Sequence, residues 1–426
     1  MREECLSALD AAGRQGWGRA EVFAKRGRSR RFRLGQGMES VHSSEEAGWA
    51  VRFGDDRSSG FYTASGMPGG DLALPEPGPG GLRLPGAAAT SWRECESVTH
   101  PLLSEAEGLE MLRAAQGRLQ SEIPESYFCD ATVDDGASES CIVSSNGVDV
   151  AFRGRAAVLR WEVLGPAPAL DRTVVTAAAV SGRELRGEAV VDRAVDVLRI
   201  RRDGRPVESL GARIVAVPEV SARLLSASMG AFVGSSREES AQWLGATDGE
   251  VGGRHLSLVD DGRLEGGLLS APVDGEGVPT AARELILNGR LGEPLVAWDV
   301  AVGASGCRRR SGWRDRPRVA ASHFFLVPDA TISPMSLVED LASGYYFVGS
   351  DETLDAKSNR LSLGVYGYEV AHGKPIGPIF GRLAWDPRKL LGKIVAAARD
   401  LRFVAMGAMV GAPTLEIDGI DLIPDP

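Results

Sequence analysis

The chain has 426 residues, of which 43% are hydrophobic and 25% are charged, and its formal net charge is -10. This length favours two or three domains, each large enough to bury its own core. The acidic balance argues against extensive binding to nucleic-acid phosphates. No apolar run approaches the roughly 18 residues of a membrane span, and the charged start MREECLSALD is unlike a signal peptide, so we expect a cytoplasmic protein with no membrane partner.

The first hundred residues predict one helix and several strands. An amphipathic helix is expected near residues 2–14. Alternation in RRFRL puts Phe32 and Leu34 on one face and indicates short strands in an antiparallel meander. Residues 65–91 contain too much proline and glycine for a regular element, so they predict a long surface loop.

Local signals place further elements before residue 206. Ser104 and Glu107 have the spacing of a capping box at the start of a helix. The pair Asn146-Gly147 stands between two alternating runs and predicts a hairpin turn. Another helix is expected over residues 185–201.

A change of character near residue 206 predicts a boundary between two domains. A polar connector there precedes a buried strand at 213–217 and a helix that begins near Pro218, where the missing N–H costs nothing. The expected fold is α+β, with an N-terminal α/β domain of antiparallel strands and helices at 1–206. A strand-rich domain follows at 207–426.

Strands dominate the predicted second domain, and only a few helices are expected there. One is predicted within TAARELILNGRL, residues 280–291, with Asn288-Gly289 as its C-terminal cap. Another is predicted within DPRKLLGKIVAAARDL, residues 386–401. The segment PTLEIDGIDL predicts a closing strand.

Two acidic residues, Asp274 and Glu276, lie in the glycine-rich stretch SAPVDGEGV. The glycines on either side of Glu276 favour a structured turn. A calcium loop fits poorly, because the oxygen ligands of a twelve-residue EF-type loop are out of register. A general acid–base role and a contact with substrate or partner remain alternatives.

The stretch CRRRSGWRDRPRVAASHF, residues 307–324, carries six arginines and one tryptophan. A solvated loop whose arginines pair with the acidic surface is the favoured interpretation. The alternatives are contact of Arg308, Arg309 and Arg310 with an acidic peptide or a partner, and binding to a nucleic-acid backbone.

Four tyrosines follow in glycine-rich segments with strand spacing, namely Tyr345, Tyr346, Tyr366 and Tyr368. Packing in the core is the favoured interpretation. The alternative is a strand edge that receives an extended peptide by β-augmentation.

Four segments in order resemble the TldD/PmbA family, the modulators of DNA gyrase, and the resemblance extends over essentially the whole chain. They are AEVFAKRGRSRRFRLGQGMESVHSSEEAGWAVRF, DGEGVPTAARELILNGRL, LVEDLASGYYFVGSDETLDAKSNRLSLGVYGYEVAHGKPIGPI and PTLEIDGIDL. By this resemblance, the family's TldD-type chains bind zinc through an HExxxH helix and a cysteine near the C-terminus.

The zinc-binding residues of that pattern are missing from this sequence. Its closest two histidines, His323 and His372, are 49 residues apart, so no HExxxH exists. The corresponding region contains Ser228, Met229 and Val233, and LRFVAMGAMVGAPTLEI near the C-terminus contains no cysteine. The sequence therefore resembles the TldE (PmbA) type of subunit.

The resemblance implies a non-catalytic subunit that pairs, as a heterodimer or larger assembly, with a TldD-type HExxxH chain. The expected complex is a zinc peptidase acting on unfolded or extended peptides, including precursors of modified peptide natural products. No cofactor is expected in this chain, and zinc is expected in its partner. A self-sufficient hydrolase with an unrecognised site, or a module that binds gyrase or nucleic acid, remains as an alternative.

Overall fold

The computed structural model describes residues 1–35, 37–69, 72–89, 92–165, 172–300, 305–357 and 359–424. These residues form a mixed α+β fold, as predicted, with an antiparallel sheet in the N-terminal part and a strand-rich C-terminal part. Its α-helices are α1 Arg2–Arg14, α2 Glu105–Glu122, α3 Gly187–Asp203, α4 Pro218–Ser226, α5 Arg237–Leu244 and α6 Pro334–Glu339. Among the residues described, no helix has the length and apolar character that a membrane span needs.

The N-terminal sheet has the strand order β4-β3-β2-β1-β5-β6-β7. Its strands are β1 Arg19–Gly35, β2 Met38–Gly54, β3 Ser58–Ser65, β4 Gly78–Pro79, β5 Tyr127–Ser144, β6 Asp149–Leu164 and β7 Arg172–Ala179. The predicted antiparallel meander is confirmed, but the expectation of short strands is wrong. Strands β1 and β2 have 17 residues each and pair along their full length in one continuous ladder, and β5 pairs with the other side of β1 from Glu21 to Leu34.

The two faces of β1 meet different parts of the molecule. Val22 packs in one cluster with α1, while Phe32 and Leu34 pack in another with α2, as their alternation predicts. Phe23 points the other way and packs against Trp313 from the C-terminal part. One face of the sheet is thus covered by helices and the other faces the rest of the chain.

The predicted helix cap and the predicted hairpin turn of the N-terminal part are both present. The side chain of Ser104 accepts a hydrogen bond from the backbone N–H of Glu107, and the side chain of Glu107 accepts one from the backbone N–H of Ser104. This capping box begins α2. The hairpin between β5 and β6 turns at Asn146-Gly147, where Gly147 has a φ of 85°. The predicted third helix is α3.

The long proline- and glycine-rich segment is irregular over its described residues apart from β4. Leu82 and Leu84 within it are buried, and the side chain of Asn146 donates to the carbonyl of Leu84. The predicted loop is therefore anchored to the N-terminal sheet. Its residues 70, 71, 90 and 91 lie outside the described residues.

Five strands of the C-terminal part close into a barrel in the order β18-β16-β9-β23-β19, because β19 also pairs with β18. Strands β8, β17 and β20 pair at its margins. The ranges are β8 Arg205–Pro206, β9 Ser209–Ala216, β16 Ser343–Ser350, β17 Asp355–Lys357, β18 Arg360–Ala371, β19 Lys374–Trp385, β20 Ile394–Ala397 and β23 Leu415–Ile423. The boundary expected near residue 206 stays a prediction.

A second C-terminal sheet has the order β12-β11-β10-β15-β22-β21, and a separate pair joins β13 to β14. These strands are β10 Leu258–Asp261, β11 Ala282–Leu287, β12 Arg290–Leu291, β13 Arg308–Arg309, β14 Arg318–Val319, β15 His323–Leu326, β21 Arg402–Ala405 and β22 Met409–Ala412. One continuous hydrophobic core, including Ile214, Phe232, Phe324 and Leu383, joins this sheet to the barrel and to α4.

Two helices predicted in the C-terminal part are wrong. Residues 280–291 form the hairpin β11–β12, in which Asn288 and Gly289 have φ values of 49° and 79° and make the turn instead of a helix cap. Residues 386–401 form two short 3-10 turns and β20, because Pro387 and Gly392 interrupt a helix and Ile394 pairs with β23. In both cases, pairing with distant strands overrides local helical spacing.

Candidate functional site

Buried ion pairs join the N-terminal sheet to the C-terminal part. Arg52 on β2 pairs with Glu21 on β1 and with Glu276 in the loop between β10 and β11. Glu21 and Glu276 are both 0% exposed. Arg310 donates from Nη2 to Glu21, and Arg308 pairs with Glu276. We call these five residues the clasp.

The carboxylate of Glu276 has partners on both oxygens. Arg52 and Arg308 donate to Oε1, the latter at 3.1 Å. Oε2 accepts from Arg308 Nη1 at 2.9 Å and from Trp298 Nε1 at 2.9 Å. Arg308 also bonds to Asp299 at 3.0 Å through Nη2. A carboxylate with this many donors is held as an anion in a fixed position.

Asp274 shapes the loop that presents Glu276. Its Oδ1 accepts from the backbone N–H of Glu276 at 2.9 Å and of Val278 at 3.1 Å, and its Oδ2 accepts from Arg308 N at 3.0 Å. The predicted structured turn is therefore present, with Gly277 at a φ of 88°. Contact of Asp274 or Glu276 with substrate or partner stays a prediction.

Burial and charge act against each other in this network. Burial raises the pKa of Asp274 to about 6. Burial also opposes ionisation of Glu276, but Arg52 and Arg308 outweigh it and hold the pKa of that carboxyl below its usual value. Burial lowers the pKa of Arg310 to about 10 although Glu21 opposes the change. Glu276 is the anionic centre of the clasp.

The arginine triplet is not the solvated loop that the sequence favours. Arg308 and Arg309 form β13, which pairs with β14, and the side chain of Arg310 is only 2% exposed. Arg310 also donates from Nε to Gly275 O at 2.8 Å and lies over the ring of Phe23 at 4.7 Å. The favoured interpretation fails for Arg308 and Arg310, because they pair with the buried carboxylates of Glu276 and Glu21, but it holds for Arg314, which pairs with the exposed Glu46.

A cleft with a volume of about 920 Å³ opens beside the clasp. One side is the face of the N-terminal sheet that carries Phe23, and the other is formed by residues 268–275 and 309–322. Asp274, Arg309 and Arg310 line it, so three of the predicted site residues lie at one place. We call this space the cleft.

The four tyrosines lie elsewhere, on the barrel strands β16 and β18. Tyr366 is 3% exposed, and its hydroxyl donates to Asp351 Oδ1 at 2.6 Å beneath Arg201. Tyr345 and Tyr346 pair on one side with β18 and on the other with β9, and Tyr368 pairs with both β16 and β19. The proposed strand edge for β-augmentation is therefore wrong, since neighbouring strands already occupy both sides.

The region that would carry the zinc helix in a TldD-type chain is built as core. Ser228 is 0% exposed at the end of α4, and its Oγ has no hydrogen-bond partner among the described residues. Met229 packs against the C-terminal core, and Val233 bridges to Leu295. The described residues contain no group of three or more His, Cys, Asp or Glu side chains that could hold a metal. These side chains do not fit a zinc ion.

Glu21 and Arg52 complete the clasp, and neither was predicted from the sequence. Each interrupts an otherwise buried run of β1 or β2, in AEVFA and AVRFG. A charged residue in the middle of such a run is the signal that could have indicated a buried partner. The contacts of Trp313 were not predicted either. Its ring packs directly on Gly48, and its Nε1 donates to Glu46 at 3.0 Å.

Solved structures share this architecture over nearly the whole chain. A protein described as a modulator of DNA gyrase from Thermotoga maritima matches with a TM-score of 0.80 at 17% identity over 99% of both chains. TldE from Thermococcus kodakarensis matches with a TM-score of 0.81 at 15% identity, over 98% of this chain and 100% of the other. A protein described as a modulator of DNA gyrase from Bacteroides thetaiotaomicron matches with a TM-score of 0.78 at 17% identity, over 99% of this chain and 98% of the other.

These likenesses define the class by fold: a two-part α+β protein with a C-terminal barrel. A family model described as the PmbA/TldA metallopeptidase C-terminal domain matches residues 211–423, which is half of the chain. The chain therefore belongs to the TldD/PmbA family, as its resemblance implies. The comparison with curated proteins gave no match.

Proposed function

We propose that this chain is the non-catalytic, TldE-like subunit of a heteromeric TldD/TldE zinc metallopeptidase in the cytoplasm. Its partner is a TldD-type chain with an HExxxH helix, which supplies the zinc. The complex cleaves unfolded or extended peptides, and such cleavage can serve the maturation of a modified peptide natural product. The likeness to a chain named TldE supports this proposal.

The observation that carries the proposal is the chemistry of the motif region. A catalytic zinc site needs three protein ligands around an open position, and two histidines one helical turn apart supply most of them in HExxxH. Ser228, Met229 and Val233 offer a buried hydroxyl, a thioether and an alkyl group. The chain belongs to a metallopeptidase family and lacks these ligands, so its contribution lies in assembly and substrate binding.

The clasp gives this contribution a structural basis. Glu276, Arg52 and Glu21 fix the 274–278 loop against the N-terminal sheet, at the edge of the cleft. A preformed wall binds an extended chain without first ordering itself, which saves conformational entropy. The chain therefore presents a rigid surface to a peptide or to the catalytic partner.

Metal analysis of the purified proteins tests the proposal. Zinc is measured per protein molecule for this chain alone, for a TldD-type chain, and for their mixture after size-exclusion chromatography. We expect no zinc in this chain alone, co-elution with the partner, and one zinc ion per partner subunit. The matched control is a partner whose first HExxxH histidine is replaced by alanine, which still co-elutes but holds no zinc.

Other results would overturn the proposal. Stoichiometric zinc in this chain alone would contradict the argument from the motif region. Peptide hydrolysis by this chain alone, abolished in Asp274→Asn or Glu276→Gln, would instead support the self-sufficient hydrolase. Failure to co-elute with any TldD-type chain, together with tight binding to gyrase, would support the third alternative.

A further inference from the structure

Small side chains line the floor of the cleft and are aligned across the strands of the N-terminal sheet. Gly27 on β1 stands opposite Ser138 on β5, which stands opposite Gly154 on β6. The next row runs through Ser44, Ser29, Gly136 and Ala156. All seven residues line the cleft. Neighbouring strands lie about 4.8 Å apart, so the first row is roughly 10 Å long and the second roughly 14 Å long, the length of about three to four extended residues.

Positive side chains border this floor without carboxylate partners. Lys25 lies beside the floor on β1, and Arg309, Arg316 and Arg318 lie on the opposite wall. Within the described part of the chain, none of the four forms an ion pair. Arg309 donates only to the hydroxyl of Ser322, and its Nε is buried without a partner among those residues.

The missing pairs are a local feature and do not reflect a shortage of acid. The chain has 58 acidic and 48 basic residues. On the same strand as Lys25, the exposed Arg26, Arg31 and Arg33 each pair with a carboxylate on β5. In the loop of Arg316 and Arg318, Arg314 pairs with Glu46. Arg155 and Arg310 also line the cleft and pair with Asp135 and Glu21, whereas Lys25, Arg309, Arg316 and Arg318 are left without a carboxylate partner among the described residues.

The carboxylates near these cations already accept hydrogen bonds from other groups, although Asp260 and Asp274 still act on the charge of Arg309. Glu46 already accepts from Trp313 and Arg314, and Asp274 from three backbone N–H groups. Asp315 is the other carboxylate on the lining. Uncompensated charge in a concave, partly desolvated site attracts counter-ions strongly. Burial lowers the pKa of Lys25 despite Glu46, so a carboxylate bound beside Lys25 would offset the cost of burying its charge.

We propose that the cleft binds an extended acidic peptide segment, whose Asp or Glu carboxylates pair with Lys25, Arg309 and Arg318 while its backbone lies over the glycine- and serine-rich floor. This inference rests on the proposed function and names the substrate class of that complex. The small floor admits a backbone closely, and the two walls of cations recognise its side-chain carboxylates.

The lining favours a peptide over single-stranded nucleic acid. Proteins that bind single strands combine positive charge with exposed aromatic rings on which bases stack. The aromatic residues on the described lining are Phe23 and Phe152. Phe23 is 5% exposed and already lies beneath Arg310, so it offers no free face.

Fluorescence anisotropy with the purified full-length chain tests the inference. The probes are a labelled eight-residue peptide of Asp, Glu, Gly and Ser, the same peptide with Asn and Gln in place of the acids, and a single-stranded oligonucleotide of equal charge. We expect the acidic peptide to bind at least tenfold more tightly than its neutral counterpart, with an affinity that falls as salt rises.

Two variants locate the site on opposite walls of the cleft. Lys25→Met and Arg318→Gln are each expected to weaken binding of the acidic peptide by about tenfold. The matched control is Lys374→Met, at an exposed lysine on β19 outside the cleft, which is expected to bind like the parent chain. Circular dichroism shows whether each variant is folded, and agreement between the two walls excludes a local folding defect at either one.

Equal binding of the acidic and neutral peptides, an equal loss in Lys374→Met, or tighter binding of the oligonucleotide would each overturn the inference. The binding measurement uses this chain alone and needs no zinc. If the chain does not prefer the acidic peptide but still forms a zinc-bearing complex with its partner, the acidic-peptide site is refuted and the proposed subunit role stands. Acidic-peptide binding by a chain that joins no partner would do the reverse.

Discussion

At the scale of single residues, Asp260 shows how burial makes a carboxylate sensitive to pH. It lies on β10 at 3% exposure and accepts the backbone N–H of Ser322 at 2.7 Å. Burial raises its pKa from 3.8 to about 6, more than Ser322 and Arg309 lower it. The folded protein therefore holds a proton between pH 4 and 6 that the unfolded chain has released.

Replacing this residue removes a pH-dependent part of the stability. Asp260 contributes most to the free energy of unfolding below its unfolded pKa of 3.8, and that contribution is lost as pH rises through about 6. The Asn side chain keeps an acceptor for Ser322, so we expect Asp260→Asn to gain stability relative to the parent chain as pH rises from 4 to 7. The gain is on the order of 2–3 kcal/mol, measured as the free energy of unfolding in urea at several pH values.

Asp329→Asn is the control of opposite sign. Thr331 lowers the pKa of this exposed aspartate, so its contribution is present at neutral pH and is lost as pH falls. Asp329→Asn is therefore expected to lose stability relative to the parent chain as pH rises from 4 to 7, whereas Asp260→Asn gains it. Parallel pH profiles for the two variants would contradict the assignment of the Asp260 effect to burial.

At the scale of elements, β2 and the arginine-rich segment interlock at a glycine. A Cβ at Gly48 would lie 2.0 Å from Trp313 Cε2 and 2.2 Å from its Cδ2. Gly48→Ala must therefore push the indole away from Glu46 or move the strand. We expect a loss of about 1–3 kcal/mol, as for other overpacked sites, measured by thermal unfolding together with a change in tryptophan fluorescence.

The neighbouring strand provides the matched control. Gly27 stands on the same face of β1, and its nearest atom for an added Cβ is Ala137 O at 3.7 Å, an ordinary contact. Gly27→Ala is expected to change the free energy of unfolding by less than about 0.5 kcal/mol. Similar losses in both variants would show that the glycines matter for backbone conformation and not for the fit of Trp313.

Local signals in the sequence predicted elements correctly where the structure depends only on neighbouring residues and not on pairing with a distant strand. The Ser104 capping box and the Asn146-Gly147 turn each need only their neighbours in the chain, and both are present. Residues 280–291 carry helix-forming side chains, but they form a hairpin because β10 pairs with β11. No pattern within twelve residues contains that partner.

The candidate site was predicted in part for the same reason. Asp274, Glu276 and the arginine triplet were found as unusual local clusters, and they do meet. Their partners Glu21 and Arg52 come from the other end of the chain, and Arg52 and Glu276 are 224 positions apart. A buried ion pair depends on a contact between distant segments, and a single sequence does not contain that contact.

At the scale of the whole molecule, the clasp couples the N-terminal sheet to the C-terminal part. Arg52 and Arg310 are nearly enclosed, with side-chain exposures of 10% and 2%. Removing the charge of Glu276 leaves Arg52 and Arg308 facing a neutral amide in a buried site. Breaking one partner of a buried ion pair typically costs about 3–5 kcal/mol.

We therefore expect Glu276→Gln to lower the stability by that amount and to separate the unfolding of the two parts. The parent chain is expected to unfold in one calorimetric transition, and the variant in two. Glu139→Gln is the matched control, because Glu139 also pairs with an arginine, Arg26, but the two side chains are 44% and 59% exposed. Exposed pairs contribute about 0–1 kcal/mol.

The two calorimetric profiles distinguish a coupling role from a local one. If Glu276→Gln lowers the transition temperature but leaves a single transition, the clasp stabilises its loop without holding the two parts together. If both variants split the transition, the parts are coupled by their total charge and not by these contacts. Only a split confined to Glu276→Gln places the coupling in the clasp, because Glu276 contacts Arg52 of the N-terminal sheet and Arg308 of the C-terminal part at the same time.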